Sequence, residues 1–313
     1  MTAQIMFRTG VLALAWFFAV NAGTTLVAML LTPVAARADR LRRASVALGL
    51  RLGPAFLSVL FVAAMFLPAH FALEPRDAKE TLGVVWYGLA VAGGWLVVRG
   101  VVRAAGLAAA SYRLRSAEKP VRMAGIEVYE VAGLGGVSLA GILRPRILVG
   151  RGVLEDLSPP ELSVALAHET AHHRAHDNLV RWSFVCAPDL LAESAHARRL
   201  EQAWHVSAES LADARAVGGD RMRACHLASA LVKVARHAAG FPLGHLPAWS
   251  ALTEGTLLES RVHRLLDRVP PVVPPLPSLR RGLIGAAIAL LVAVPLLAAS
   301  IHGLTETLVL LLP

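Results

Sequence analysis

The sequence predicts an α-helical membrane protein of four transmembrane helices with a mixed α+β domain inserted between the third and the fourth. Three observations predict it. Hydrophobic residues make up 56% of the 313 and charged residues only 17%, and a mean hydropathy of +0.56 is more than one soluble core can hide. Four stretches, Gly10 to Val34, Leu52 to Leu73, Leu82 to Val102 and Gly282 to Ala299, have the roughly 20 apolar residues that a helix needs to cross a bilayer. Most histidines and charged residues fall between the third stretch and the fourth.

The first span resembles a secretory signal, because Val34-Ala35-Ala36-Arg37-Ala38 looks like a small-residue cleavage site. Its apolar run is too long for a signal core and its charges lie on the wrong side, so it is expected to stay as a span. Arg37, Arg40, Arg42, Arg43 and Arg51 follow it, Arg99, Arg103, Arg113 and Arg115 border the third span, and Arg280 and Arg281 precede the fourth. The loop Glu74 to Glu80 after the second span is short and mixed in charge. The positive-inside rule then puts both termini outside and the inserted domain in the cytosol of a multi-pass protein of the plasma or inner membrane, with the lipid bilayer as a partner. The net charge of +9 is accounted for by these anchors. No direct nucleic-acid partner is expected, since the clusters lack interleaved aromatics. Two cysteines, Cys186 and Cys225, without C-x-x-C spacing suit a reducing compartment.

The expected units are residues 1–103 with three spans (10–34, 52–73, 82–102), a domain at 104–269, a proline-rich linker at 270–281, and the fourth span with a short tail at 282–313. The domain opens with β signals: Ile126 to Val131 alternates, Gly133, Gly135 and Gly136 break it, and Ser138 to Ile142 and Arg146 to Val149 follow around Pro145. A small sheet or hairpin is expected there. From Ser158 to Arg268 the pattern is helical, and Pro270 to Pro277 forms a stiff extended connection.

The chemistry lies in Leu162 to Ala175, LSVALAHETAHHRA, which contains His168-Glu169-Thr170-Ala171-His172. Ser158-Pro159-Pro160-Glu161 reads as a capping box with proline at the first helical position, so a helix should carry the motif about two turns in. There His168 and His172 share a face, as two imidazoles must to bind one metal ion, and Glu169 beside them can take a proton from a metal-bound water. A bare H-E-x-x-H also occurs on helices whose histidines are merely solvated, so a third ligand decides. Glu209 in Ala208-Glu209-Ser210-Leu211-Ala212-Asp213 is the candidate. Asp213, one turn on, faces the same way and can accept a hydrogen bond from the ring nitrogen of His168 that does not bind metal. The reading is a site for one Zn²⁺ per chain.

H-E-x-x-H with a downstream E-x-x-x-D resembles the gluzincin metallopeptidases, and Asp177 five residues after His172 narrows the resemblance to two membrane branches. Three spans before the motif, one after it, and Gly141-Ile142-Leu143-Arg144-Pro145-Arg146-Ile147-Leu148-Val149 upstream are similar to the BlaR/MecR type of antirepressor. The resemblance implies a gluzincin-like α+β fold, zinc-dependent hydrolysis of a cytosolic polypeptide such as a transcriptional repressor, and substrate bound as an added strand. Ser138 to Ile142 or Arg146 to Val149 would form the receiving edge. Two departures stand out. Only His302 to Pro313 are expected after the fourth span, so the penicillin-binding sensor domain is missing. The H-P-P element of the HtpX and CAAX prenyl protease branch is also absent, although Glu259-Ser260-Arg261 keeps its E-x-R ending.

An HtpX-like quality-control protease and a non-catalytic membrane scaffold are the competing readings; the scaffold would not need an intact set of His168, Glu169, His172 and Glu209. His205, His237 and Arg261 are candidates for substrate or oxyanion contact, with structural roles as the alternative, while His173 and His176 read as solvated. The orientation is open to a direct check. A reporter active only in the cytosol should work when fused near Pro120 or Pro271 and fail after Leu73 or at the C-terminus; activity at the C-terminus would mean a different number of spans.

Overall fold

The computed structural model describes residues 3–38, 40–73, 81–113, 119–123, 125–131, 134–142, 144–238, 249–251, 258–267 and 296–312. The loop at 74–80, the linker at 270–281 and most of the expected fourth span lie outside these residues.

Among the described residues, three helical segments are long and apolar enough to cross a membrane. They are α1 (Ala3–Arg37), α2 (Arg40–Phe61), which runs through a π turn at Val62–Phe66 into α3 (Leu67–Leu73), and α4 (Val84–Arg113). At 1.5 Å per residue, the 35 residues of α1 extend about 52 Å, well beyond a hydrocarbon core of about 30 Å. The packing divides accordingly. Val11, Leu12 and Ala15 of α1 bury against Phe66, Trp86 and Ala90, whereas Ala28 and Ala35, with Ala47 of α2, bury against Ala197, Leu200, Trp204 and Ala208 of the inserted domain.

Two expectations change. The arginine-rich stretch after the first span is helical from Arg40 onward, and Arg51, expected among the cytoplasmic anchors, is 1% exposed. Its guanidinium donates to Glu201 at 2.6 Å, to Asp189 at 3.2 Å and to the Phe184 carbonyl at 2.7 Å. The stretch expected as a short tail is also helical. In the helix Leu296–Leu311, Thr305 accepts a hydrogen bond from Trp16 at 3.2 Å, Glu306 pairs with Arg8 at 3.7 Å, and Val309 joins the core around Phe66.

The inserted domain holds a five-stranded mixed sheet of order β1-β2-β4-β3-β5, formed by Lys119–Met123, Ile126–Val131, Val137–Ala140, Arg146–Gly150 and Trp249–Ala251. The β2–β4 pair is parallel and the other three pairs are antiparallel. The substrate-edge expectation is therefore corrected. β4 lies between β2 and β3, and β3 is paired on its other side by β5, a segment from much later in the chain. Gly150 is required where β4 ends, because a Cβ there would collide with the Leu134 carbonyl.

The helices of the domain are α5 (Arg151–Asp156), α6 (Pro159–Ala175), α7 (Asp177–Cys186), α8 (Ala195–Val217) and α9 (Arg221–Ala238), with α10 (Leu258–Asp267) following β5. Val164, Ala165 and Leu166 of α6 and Leu227, Leu231 and Val234 of α9 pack on Val128, Leu139, Ile147 and Val149 of the sheet. The loop between α7 and α8 is wedged into the apolar helices. Asn21 of α1 donates to the Pro188 carbonyl and accepts from the Leu190 amide, and Arg99 of α4 donates to the Asp189 carbonyl.

α6 starts as its sequence dictates, with Pro159 in the first turn. The Ser158 amide and hydroxyl donate to Glu161 at 2.8 and 2.9 Å, and Ser229 and Lys233 of α9 donate to the same carboxylate. Burial pushes the Glu161 carboxyl up, but the hydrogen bonds from Lys233, Ser229 and Ser158 outweigh it and hold the group at about 2, against 4.5 for a free glutamate. Its folded value is depressed, so its contribution to stability is present above about pH 4.5 and fades as pH falls toward 2. Glu161→Gln should cost about 1–2 kcal/mol at pH 7, and the gap from wild type in thermal unfolding should narrow as the buffer is acidified below pH 4.5. A gap independent of pH would contradict this account.

Candidate metal centre

One face of α6 meets α8 in the interior, and there the side chains of His168, Glu169 and His172 are fully buried and Glu209 nearly so. The two imidazole Nε2 atoms lie 3.0 Å apart. Glu209 completes a triangle, with Oε2 3.5 Å from His168 Nε2 and Oε1 3.3 Å from His172 Nε2. The far nitrogens are both turned to carboxylates: His168 Nδ1 lies 3.1 Å from Asp213 Oδ1, and His172 Nδ1 lies 2.6 Å from Asp177 Oδ2. A carboxylate accepts, so His172 donates from Nδ1 and the carboxylate beside His168 Nδ1 favours the same proton position, which leaves the two Nε2 atoms as the ones available to a metal ion. Three lone-pair donors converging at this distance repel one another unless they share a cation, and the group of His168, His172 and Glu209 could hold one metal ion.

The surrounding charges support a cation. Burial works against a charged His172, but Glu209 and Asp177 override it and raise its pKa to about 10. Burial likewise opposes a charge on His168, while Asp213 and Glu209 raise it. A field that favours a proton between these groups favours a metal ion in the same place. Among the described residues, Glu169, Asp177, Glu209 and Asp213 bring carboxylates to the cluster, and Arg181, Arg261 and, 4.0 Å from Asp213, Arg264 bring guanidiniums.

Arg261 of α10 donates to both oxygens of Asp213, at 2.6 and 3.1 Å, and its Nη1 lies 2.9 Å from Glu209 Oε2. Burial raises both carboxyls, yet Arg261 holds Asp213 down at about 2 and Glu209 well below the ordinary value. For Glu169, Arg261 is the last of the influences that oppose burial. Burial pushes its carboxyl up to about 7, with the two imidazoles opposing the rise and the negative charge of Glu209 adding to it. Neither of its oxygens has a hydrogen-bond partner among the described residues.

Of the substrate-contact candidates, Arg261 takes up the structural alternative: its guanidinium is buried and engaged by two carboxylates, Asp213 and Glu209. His237 sits at the contact of α5 and α9, 3.4 Å from Asp156. His205 does reach the cluster, with Nδ1 4.0 Å from Glu209 Oε1. His176 terminates α6 in the left-handed conformation, with φ of 58°, and so leaves the ligand face. Three residues went unassigned from sequence. Asp177 orients His172; Asn178 donates to the Leu139 and Gly141 carbonyls at 2.8 and 3.0 Å and ties α7 to β3; and Arg181 lies 3.7 Å from Glu209. The five-residue spacing from His172 was the available signal for Asp177.

No protein family and no curated protein was found to match this chain.

If Asp177 and Asp213 orient the imidazoles, Asp177→Asn and Asp213→Asn should each weaken metal binding about 10- to 100-fold without unfolding the domain. Titration with Co²⁺, whose absorption reports its ligands, measures this. Unchanged affinity in both variants would remove the carboxylates from the site.

Proposed function

We propose that this chain is a membrane zinc metallopeptidase that hydrolyses peptide bonds in a cytosolic polypeptide, with His168, His172 and Glu209 as the ligands and Glu169 as the base. The observation that carries the reading is the ligand triangle with Glu169 beside it. A tetrahedral zinc ion with bonds of about 2.0–2.1 Å spaces its ligand atoms about 3.3 Å apart; the two imidazole Nε2 atoms lie 3.0 Å apart, and each has one oxygen of Glu209 at 3.3 or 3.5 Å. Three protein ligands leave a fourth position for water or substrate, the pattern of catalytic rather than structural zinc. Bound zinc would polarise the scissile carbonyl and acidify water.

The rest is the work of the chain's own residues. Asp213 and Asp177 keep the Nε2 lone pairs of His168 and His172 directed at the ligand position. Arg261 keeps Glu209 ionised. Glu169, a buried carboxyl beside the two imidazoles with no hydrogen-bond partner among the described residues, is placed to accept a proton from water and return it to the leaving amine. The resemblance to BlaR/MecR-type proteins supports a transcriptional repressor as the substrate, and the arginine distribution supports a cytosolic domain with both termini outside.

Purified protein in detergent should contain about one zinc per chain, and His172→Ala should lose it. Glu169→Gln keeps the side-chain shape, so zinc should remain while proteolysis falls about 10²- to 10⁴-fold. The measurements are metal analysis and cleavage of a labelled unfolded protein. Wild-type cleavage by Glu169→Gln would defeat the mechanism and favour a scaffold.

A further inference from the structure

We infer that Arg181 is a catalytic residue of this centre, its guanidinium stabilising the negative charge that develops on the scissile carbonyl oxygen, and that His205 positions it. The inference rests on the peptidase reading. α7 begins with Asp177, the partner of His172, and Arg181 follows one turn later on the same face. On α8, His205 stands one turn before Glu209. The two helices thus bring a guanidinium and an imidazole to the same edge of the ligand triangle.

The contact between them is directional. Arg181 Nη2 lies 3.0 Å from His205 Nδ1. A guanidinium can only donate, so His205 Nδ1 accepts and the ring proton is on Nε2. The same Nη2 is 3.7 Å from Glu209 Oε1, close enough to act on charge at the metal position and too far for a hydrogen bond. Arg261 makes the contrast. It is 3% exposed and grips Asp213 and Glu209 at 2.6 and 2.9 Å, whereas the side chains of Arg181 and His205 are 12% and 16% exposed. One guanidinium is locked inside the cluster, and the other stands at its more open side.

Hydrolysis places a charge where Arg181 can meet it. The oxygen of water forms a bond to the carbonyl carbon, its proton passes to Glu169, and the carbonyl oxygen becomes negative. The carbon–nitrogen bond then breaks, and the proton goes from Glu169 to the amine. Arginine stays charged throughout, so its stabilisation needs no proton transfer of its own.

The test uses the full chain in detergent, loaded with zinc, with labelled casein as substrate and an N-phosphoryl dipeptide as a tetrahedral anionic probe. Arg181→Gln should keep its zinc and its KM while kcat falls about 10²- to 10³-fold, and affinity for the phosphoryl dipeptide should fall in parallel. Added guanidinium ion should restore part of the activity of Arg181→Gly. His205→Gln, which keeps an acceptor for Arg181, should retain more activity than His205→Ala. Unchanged kcat and probe affinity in Arg181→Gln overturn the assignment, as does loss of zinc in proportion to activity, which would make Arg181 only a neutraliser of Glu209. Should that variant fail to fold, Arg181→Lys decides, because it keeps a charge without the fork: reduced kcat with full zinc supports the assignment, and wild-type kcat overturns it. Casein left intact by the zinc-loaded wild type overturns the peptidase reading and this assignment with it.

Discussion

Burying charge around Glu209 is the constraint on which the rest of the domain depends. Glu209 and Asp213 are 3% exposed, and carboxylates that deep are tolerated only when paired. The pairing draws in separate parts of the chain: α6 supplies the imidazoles, α10 supplies Arg261, and the start of α7 supplies Asp177. Each element is thereby fixed by a polar contact at one end and by apolar packing along its length, as α6 is between the sheet and α9.

The same economy of charge joins the domain to the apolar helices. Asp189 is fully buried in the loop between α7 and α8 and faces Arg51 of α2, while Arg51 also reaches Glu201 on α8. Gly100 of α4 lets the end of α7 and that loop approach closely, since a Cβ there would meet the Cys186 carbonyl at 2.7 Å and Pro188 at 3.2 Å. α7 and α8 are the helices that carry Asp177 and Glu209. The membrane-type helices therefore help to set the spacing of the two helices that complete the centre, and the inserted domain is continuous with the bundle rather than tethered to it.

What could be read from sequence was local. The start of α6 is written in Ser158, Pro159 and Glu161, and the pairs His168 with His172 and Glu209 with Asp213 follow from helical spacing alone. The ion pairs of Arg51 were not legible because its acidic partners lie 138 and 150 residues away, so its neighbours in sequence gave only the signature of a membrane anchor. The receiving edge of the sheet was misplaced for a similar reason: β3 reads as an edge until Trp249–Ala251 is known to pair with it. Arg261 stood within a recognisable E-x-R, but its engagement by Asp213 and Glu209 depends on how α10 meets α8, which no periodicity encodes.

The distribution of guanidiniums among the buried carboxylates separates their chemistry. Glu169, Glu209 and Asp213 are buried to nearly the same degree, so burial alone would raise all three. Arg261 is the largest of the influences that oppose burial at Glu209 and Asp213, and it holds both below the ordinary carboxyl range. At Glu169 Arg261 ranks behind the two imidazoles, burial prevails, and the carboxyl rises to about 7. One helix turn thus carries imidazoles that could hold a metal ion beside a carboxylate whose pKa is raised, and the contrast with Glu209 and Asp213 follows from where Arg261 points rather than from the H-E-x-x-H pattern itself.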